Sequence, residues 1–194
     1  MKTFELKGEI RDDFGKKAAR AYRSEGLIPC VVYGGHGEEN VNFVVEQGDV
    51  RKLIYTPEVF LVNLNLGTKN LMAVVKELQF HPVKDTILHI DFLHVVENAP
   101  VTIEIPVRLV GLAAGVRAGG KLSLDMRKLK VKALPAKLPE ELVVNVEKLE
   151  LGKSIQVGQL NFEDVEILNA KNAVVCRVQL TRAARGAAAK GDGK

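Results

Sequence analysis

Apolar and polar residues alternate with a period of two over Phe4, Leu6, Gly8 and Ile10, which predicts a half-buried strand over residues 3–11. The period then changes. Laid on a helix, Lys16, Arg20 and Arg23 stand at i, i+4 and i+7 on one face, and Phe14, Ala18 and Tyr22 share the opposite one. Gly26 is the expected stop, and Ile28-Pro29 forces extended backbone into a strand over Cys30–Tyr33. A turn-rich loop over residues 34–40 leads to a strand over Val41–Glu46. Val50, Leu53 and Ile54 then repeat at helical spacing before Thr56-Pro57. Val59–Leu66 and Leu71–Phe80 read as a hairpin joined by Gly67-Thr68-Lys69-Asn70; His81-Pro82 breaks the run, and Ile87–Val95 is a further strand.

The character of the chain changes near Glu97-Asn98-Ala99-Pro100. Nine aromatic residues precede this point and one, Phe162, follows it, which implies two separate cores. The expected division is a first domain over residues 1–94, a second over 95–180 and a basic tail over 181–194. In the second domain Val101–Leu109 alternates as a strand, and Gly111–Gly120, with four glycines, reads as a surface loop. Short strands at Leu122–Leu124, Arg127–Leu134, Leu142–Val146, Ser154–Val157, Val165–Ile167 and Ala173–Leu180 predict an all-β domain. The small, basic, Gly/Ala-rich tail has no apolar period to bury, so disorder is expected there.

Composition narrows the function classes. The 194 residues are 46% hydrophobic and 27% charged, the balance of an ordinary globular protein. No apolar run approaches the roughly 18 residues of a membrane span, and the first residues lack a signal-peptide core, so the cytoplasm is the expected compartment. Cys30 and Cys176 lie in apolar runs without CxxC spacing and are expected to be buried free thiols. A formal charge of +4 points toward a polyanion only weakly: residues 1–94 hold 12 basic against 13 acidic side chains, residues 95–180 hold 12 against 10, and the tail 4 against 1. Local clustering says more. Residues 11–23 carry five basic side chains against two acidic ones.

Chemistry-bearing side chains are few: His36, His81, His89, Asp91, His94 and Cys30. His89 and Asp91 are i and i+2 in a strand and share a face, with His81 able to approach from the neighbouring hairpin. That trio lacks HxxxH or CxxC spacing for a metal. Cys30 has no flanking charge to activate it, and no serine elbow is present. The glycine clusters match neither GxGxxG nor a Walker loop, so no nucleotide or other small-molecule site and no cofactor is expected. A polar patch that hydrogen-bonds a flat, polar partner is the economical reading of the histidines. Arginine forks on the helix suit phosphates, and Tyr33 can stack or donate.

The order Glu9-Ile10-Arg11, Gly15-Lys16, Arg20 with Arg23, Ile28-Pro29, Val32-Tyr33-Gly34-Gly35, Gln79, His81-Pro82 and His89-Ile90-Asp91-Phe92 resembles the bacterial large-subunit ribosomal protein family numbered twenty-five. Members of that family bind 5S rRNA, and the two-domain form is the general stress protein CTC type. The resemblance implies a mainly β chain: a small N-terminal β-barrel with two or three helices, similar to the anticodon-binding barrel of glutaminyl-tRNA synthetase, and a C-terminal all-β domain. It implies a non-enzymatic protein of the cytoplasmic ribosome whose partners are 5S rRNA and other large-subunit components. By position, Arg11, Lys16, Arg20, Arg23, Tyr33, Gln79, His81, His89 and Asp91 would form the RNA face, with Arg11, Arg20, Tyr33, His89 and Asp91 the strongest matches. Ala21 and Val83 depart from the pattern, standing where many relatives place an arginine and an aromatic. Two other readings stay open: a stress-linked module whose second domain recruits a protein, and a metal-dependent enzyme using His81, His89 and Asp91.

Overall fold

The computed structural model describes residues 2–34, 40–56, 58–67, 69–96 and 99–181. His36, the glycine-rich part of the loop over 34–40, and tail residues 182–194 lie outside the described residues. The described chain is mainly β and divides into two compact units, Met1–Ile103 with Leu134–Glu140, and Glu104–Ala133 with Glu141–Lys194.

The first unit contains strands β1 (Lys2–Lys7), β2 (Glu9–Ile10), β3 (Leu27–Tyr33), β4 (Val41–Glu46), β5 (Phe60–Asn65), β6 (Asn70–Phe80) and β7 (Ile87–His94), and helices α1 (Lys16–Ser24) and α2 (Gln47–Ile54). Its sheet runs β1-β5-β6-β7-β3-β4-β2. The two edge strands, β1 and β2, are separated in the chain by Gly8 alone, so the sheet must curl until its edges meet. The single strand expected over 3–11 is therefore two, one on each side of a seam. Gly8 donates to the Asn65 carbonyl at 2.9 Å, and Arg11 donates to the Asn42 carbonyl at 3.1 Å, continuing the ladders on both sides. A Cβ on Gly8 would lie 2.9 Å from the Phe43 ring and 3.1 Å from the Val44 carbonyl, so the closure has room only for glycine.

Alternation fills the barrel. Leu6, Ile28, Cys30, Val32, Phe43, Val45, Val62, Leu64, Ile90 and Phe92 point inward and are buried, with the Phe43 and Phe92 ring centroids 5.6 Å apart. Val50 and Leu53 bury the apolar side of α2. No polar or charged residue is buried among the described residues, so hydrophobic burial dominates this core. β3 lies between β4, antiparallel, and β7, parallel, so it is central, and the residues after it in sequence are needed to complete it.

The second unit holds a sheet of β8 (Val101–Val110), β10 (Lys128–Ala133), β11 (Leu142–Asn145) and β13 (Glu166–Ile167), ordered β11-β8-β10-β13, and a smaller sheet of β9 (Lys121–Leu124), β12 (Ser154–Gln156) and β14 (Val174–Gln179), ordered β12-β14-β9; the first three residues of β8 belong to the first unit. The glycine-rich stretch expected as a plain loop carries one helical turn, α3 (Ala114–Arg117). Gly115 is buried there, and a Cβ on it would lie 2.6 Å from the Leu151 backbone nitrogen, so the position has room only for glycine.

Candidate nucleic-acid interface

The pairing register assembles one outward face on the barrel. Asp91 on β7 pairs with Val31 on β3 and with Glu77 on β6; Gln79 pairs with His89, and Tyr33 with Leu93. Paired residues point to the same side of a sheet, and every second residue returns to it. Tyr33, Glu77, Gln79, His89 and Asp91 therefore share one face, while Cys30, Ile90 and Phe92 take the other.

His89 and Asp91 are joined at its centre, Nδ1 to Oδ1 at 2.6 Å, each side chain 22% exposed. An ionised carboxylate can only accept, so Nδ1 carries a proton toward Asp91 and Nε2 points away from the pair. Tyr33 ends β3 beside this pair. Partial burial first, then the carboxylates of Asp91 and Glu77, push its phenol above the ordinary value of 10.0. Its hydroxyl is thus a donor at neutral pH, and none of the hydrogen bonds among the described residues uses it.

Helix α1 supplies the charge. Its first turn has no acidic residue, its N-cap Gly15 offers no side-chain cap, and none of its residues is buried. Lys16, Arg20 and Arg23 are exposed as the spacing predicts. Arg23 Nε donates to the Leu88 carbonyl at 3.0 Å, which ties the helix to β7 and so to the His89–Asp91 pair. Among the described residues neither Arg11, Lys16, Lys17 nor Arg20 is matched by a carboxylate, whereas Arg108, Lys130 and Arg177 of the second unit are paired with Glu141, Glu104 and Asp125.

Two expectations need correction. Phe14 is not an apolar anchor of α1: Gly15, at φ 96°, turns the chain before the helix begins at Lys16, and Phe14 is 63% exposed, so only Ala18, Ala19 and Tyr22 face inward. His81 does not form a metal-holding trio with His89 and Asp91. Its Nδ1 accepts from the Val83 and Lys84 amides at 3.2 Å each and organises the turn between β6 and β7, leaving Nε2–H as its free donor. No cluster of three His, Cys, Asp or Glu able to hold a metal exists among the described residues. Cys30 and Cys176 are buried free thiols, and burial raises both above the usual thiol range. Glu77 was missed in sequence, although the period of two that links it to Gln79 was there to be read.

The Ribosomal L25p family matches residues 6–92, and the C-terminal domain of ribosomal protein TL5 matches residues 100–182. Large ribosomal subunit protein bL25 of Porphyromonas gingivalis is 61% identical over 191 residues, which span 98% of this chain and 99% of the relative. The chain belongs to the bL25 family. Proteins of the same name from Azobacteroides pseudotrichonymphae and Phocaeicola vulgatus are 60% and 53% identical, over 95% and 97% of this chain and 97% and 98% of theirs. The bL25 family is one of structural proteins of the bacterial large subunit, a cytoplasmic particle, and not of enzymes. No described helix is long and apolar enough to cross a membrane.

Proposed function

We propose that this chain is a structural component of the large ribosomal subunit that holds 5S rRNA through the outer face of its first unit. One observation carries the reading: the barrel register sets Tyr33, Gln79 and the His89–Asp91 pair beside a helix whose cations meet no counter-charge among the described residues. Arg11, Lys16, Arg20 and Arg23 grip phosphates, and the polar groups on the strands address what phosphates do not encode. Asp91 repels phosphate, so it accepts from base amino groups or ribose hydroxyls, or holds His89 for that purpose. His81, with Nε2–H free at the β6–β7 turn, extends the same surface as a donor.

The test is an equilibrium titration of the full chain against 5S rRNA at several salt concentrations, with transfer RNA as competitor. About four or five phosphate contacts give a log–log salt slope of roughly −3 to −4.5. Arg20→Glu is expected to weaken binding about 100-fold while leaving the thermal midpoint unchanged, since exposed substitutions rarely move stability by more than about 0.5 kcal/mol. Unchanged affinity would remove α1 from the interface, and equal affinity for transfer RNA would reduce the face to a generic polyanion binder.

A further inference from the structure

Phe14 is an aromatic side chain in an unusual place. It stands 63% exposed between the last ladder residue, Arg11, and the first turn of α1, and contributes nothing to the barrel core. One side of its ring is occupied: the Arg11 guanidinium carbon lies over it, 5.7 Å from the centroid. Arg11 is itself fixed by the hydrogen bond from its backbone N–H to the Asn42 carbonyl, and its Nε is buried with no hydrogen-bond partner among the described residues, so the cation is held by place and by the ring. The remainder of the ring is open, since Phe14 as a whole is 63% exposed. A flat, apolar surface backed by a guanidinium, with the exposed Lys16 and Lys17 following two and three residues along the chain, offers a π-face close to cationic charge.

We infer that Phe14 is a stacking platform for one unpaired RNA base at the margin of the interface, with Arg11 clamping the ring from behind. This rests on the reading of the barrel face as an RNA surface and adds to it a contact that depends on shape and stacking rather than charge. A base fits where a protein side chain would not be selected: stacking on an aromatic ring accepts any base, and the surrounding lysines and arginines favour a polyanionic strand over an acidic side chain alone.

The experiment compares full-length wild type with Phe14→Ala, Phe14→Leu and Phe14→Tyr, titrated against 5S rRNA across salt, with chemical probing of base reactivity on the bound RNA. Phe14→Ala and Phe14→Leu are expected to weaken binding roughly tenfold or more, to keep the wild-type salt slope, and to expose one unpaired base that the wild type protects. Phe14→Tyr is expected to restore both. Wild-type affinity and footprint in Phe14→Ala, or full rescue by Phe14→Leu, would overturn the stacking role while leaving the RNA face intact. Failure of the wild type itself to bind 5S rRNA would overturn the face and the inference together. Thermal midpoints of all variants are expected to match, because the ring is not part of the core.

Discussion

Asp91 is an anion in the middle of a surface proposed to meet a polyanion, and its neighbours explain why it is tolerated. It holds the His89 ring through a 2.6 Å contact and, after burial and together with Glu77, raises the Tyr33 phenol above its ordinary value. Asp91→Ala is expected to release the imidazole and to weaken 5S rRNA binding about tenfold or more without changing the salt slope, since no phosphate contact is lost. Asp91→Asn, which keeps an acceptor oxygen, is expected to fall between. The same substitutions bring the Tyr33 ionisation back toward 10 in an absorbance titration. A phenol raised on folding stabilises the fold below pH 10, and that contribution is lost as pH climbs through the folded value.

Helix α1 is poorly built as a helix. Lysines at its positive end oppose the macrodipole, and like charges four apart repel, each at a cost of a few tenths of a kcal/mol. Lys16→Glu should therefore stabilise the protein by about 0.3–1 kcal/mol in chemical denaturation while weakening RNA binding. Loss of both stability and binding would mean that Lys16 serves the fold. Such opposition of local preference and use marks functional elements. Much of this element was legible, because Lys16, Arg20 and Arg23 follow a local period and Gly26 stops it. The position of Phe14 was not: its phase was right for a helix, but Gly15 turns the chain and the helix begins only at Lys16. The His89–Asp91 pair was legible for the same local reason, as neighbours in a period of two. The partners of that pair on other strands were not, because Val31 and Glu77 meet Asp91 through a register set by the whole barrel. The split of β1 from β2 is likewise a property of closure, which no local pattern carries.

At the scale of the molecule, the first unit is close to electroneutral, so the proposed RNA binding would depend on gathering a few cations that no carboxylate matches among the described residues rather than on bulk charge. The unit is also not a simple stretch of chain. Val101, Ile103 and Leu138 are buried and belong to it, although they follow the last residue of the interface. A chain ending at residue 94 keeps every proposed contact but loses these side chains, and is expected to be a few kcal/mol less stable than the full chain by chemical denaturation. Equal stability would show that the barrel is complete by residue 94.

The closure at Gly8 has a bearing on the order in which the protein can be made. In a chain emerging from its N-terminus the residues of α1 come early, but β1 waits for β5 and β3 waits for β7. Such distant pairings are slow to nucleate. The cations of α1 are therefore present long before His89 and Asp91 arrive beside Tyr33. If the proposed face is the RNA surface, an unfinished chain would attract RNA without discriminating among RNAs, and selectivity would report that the barrel has closed.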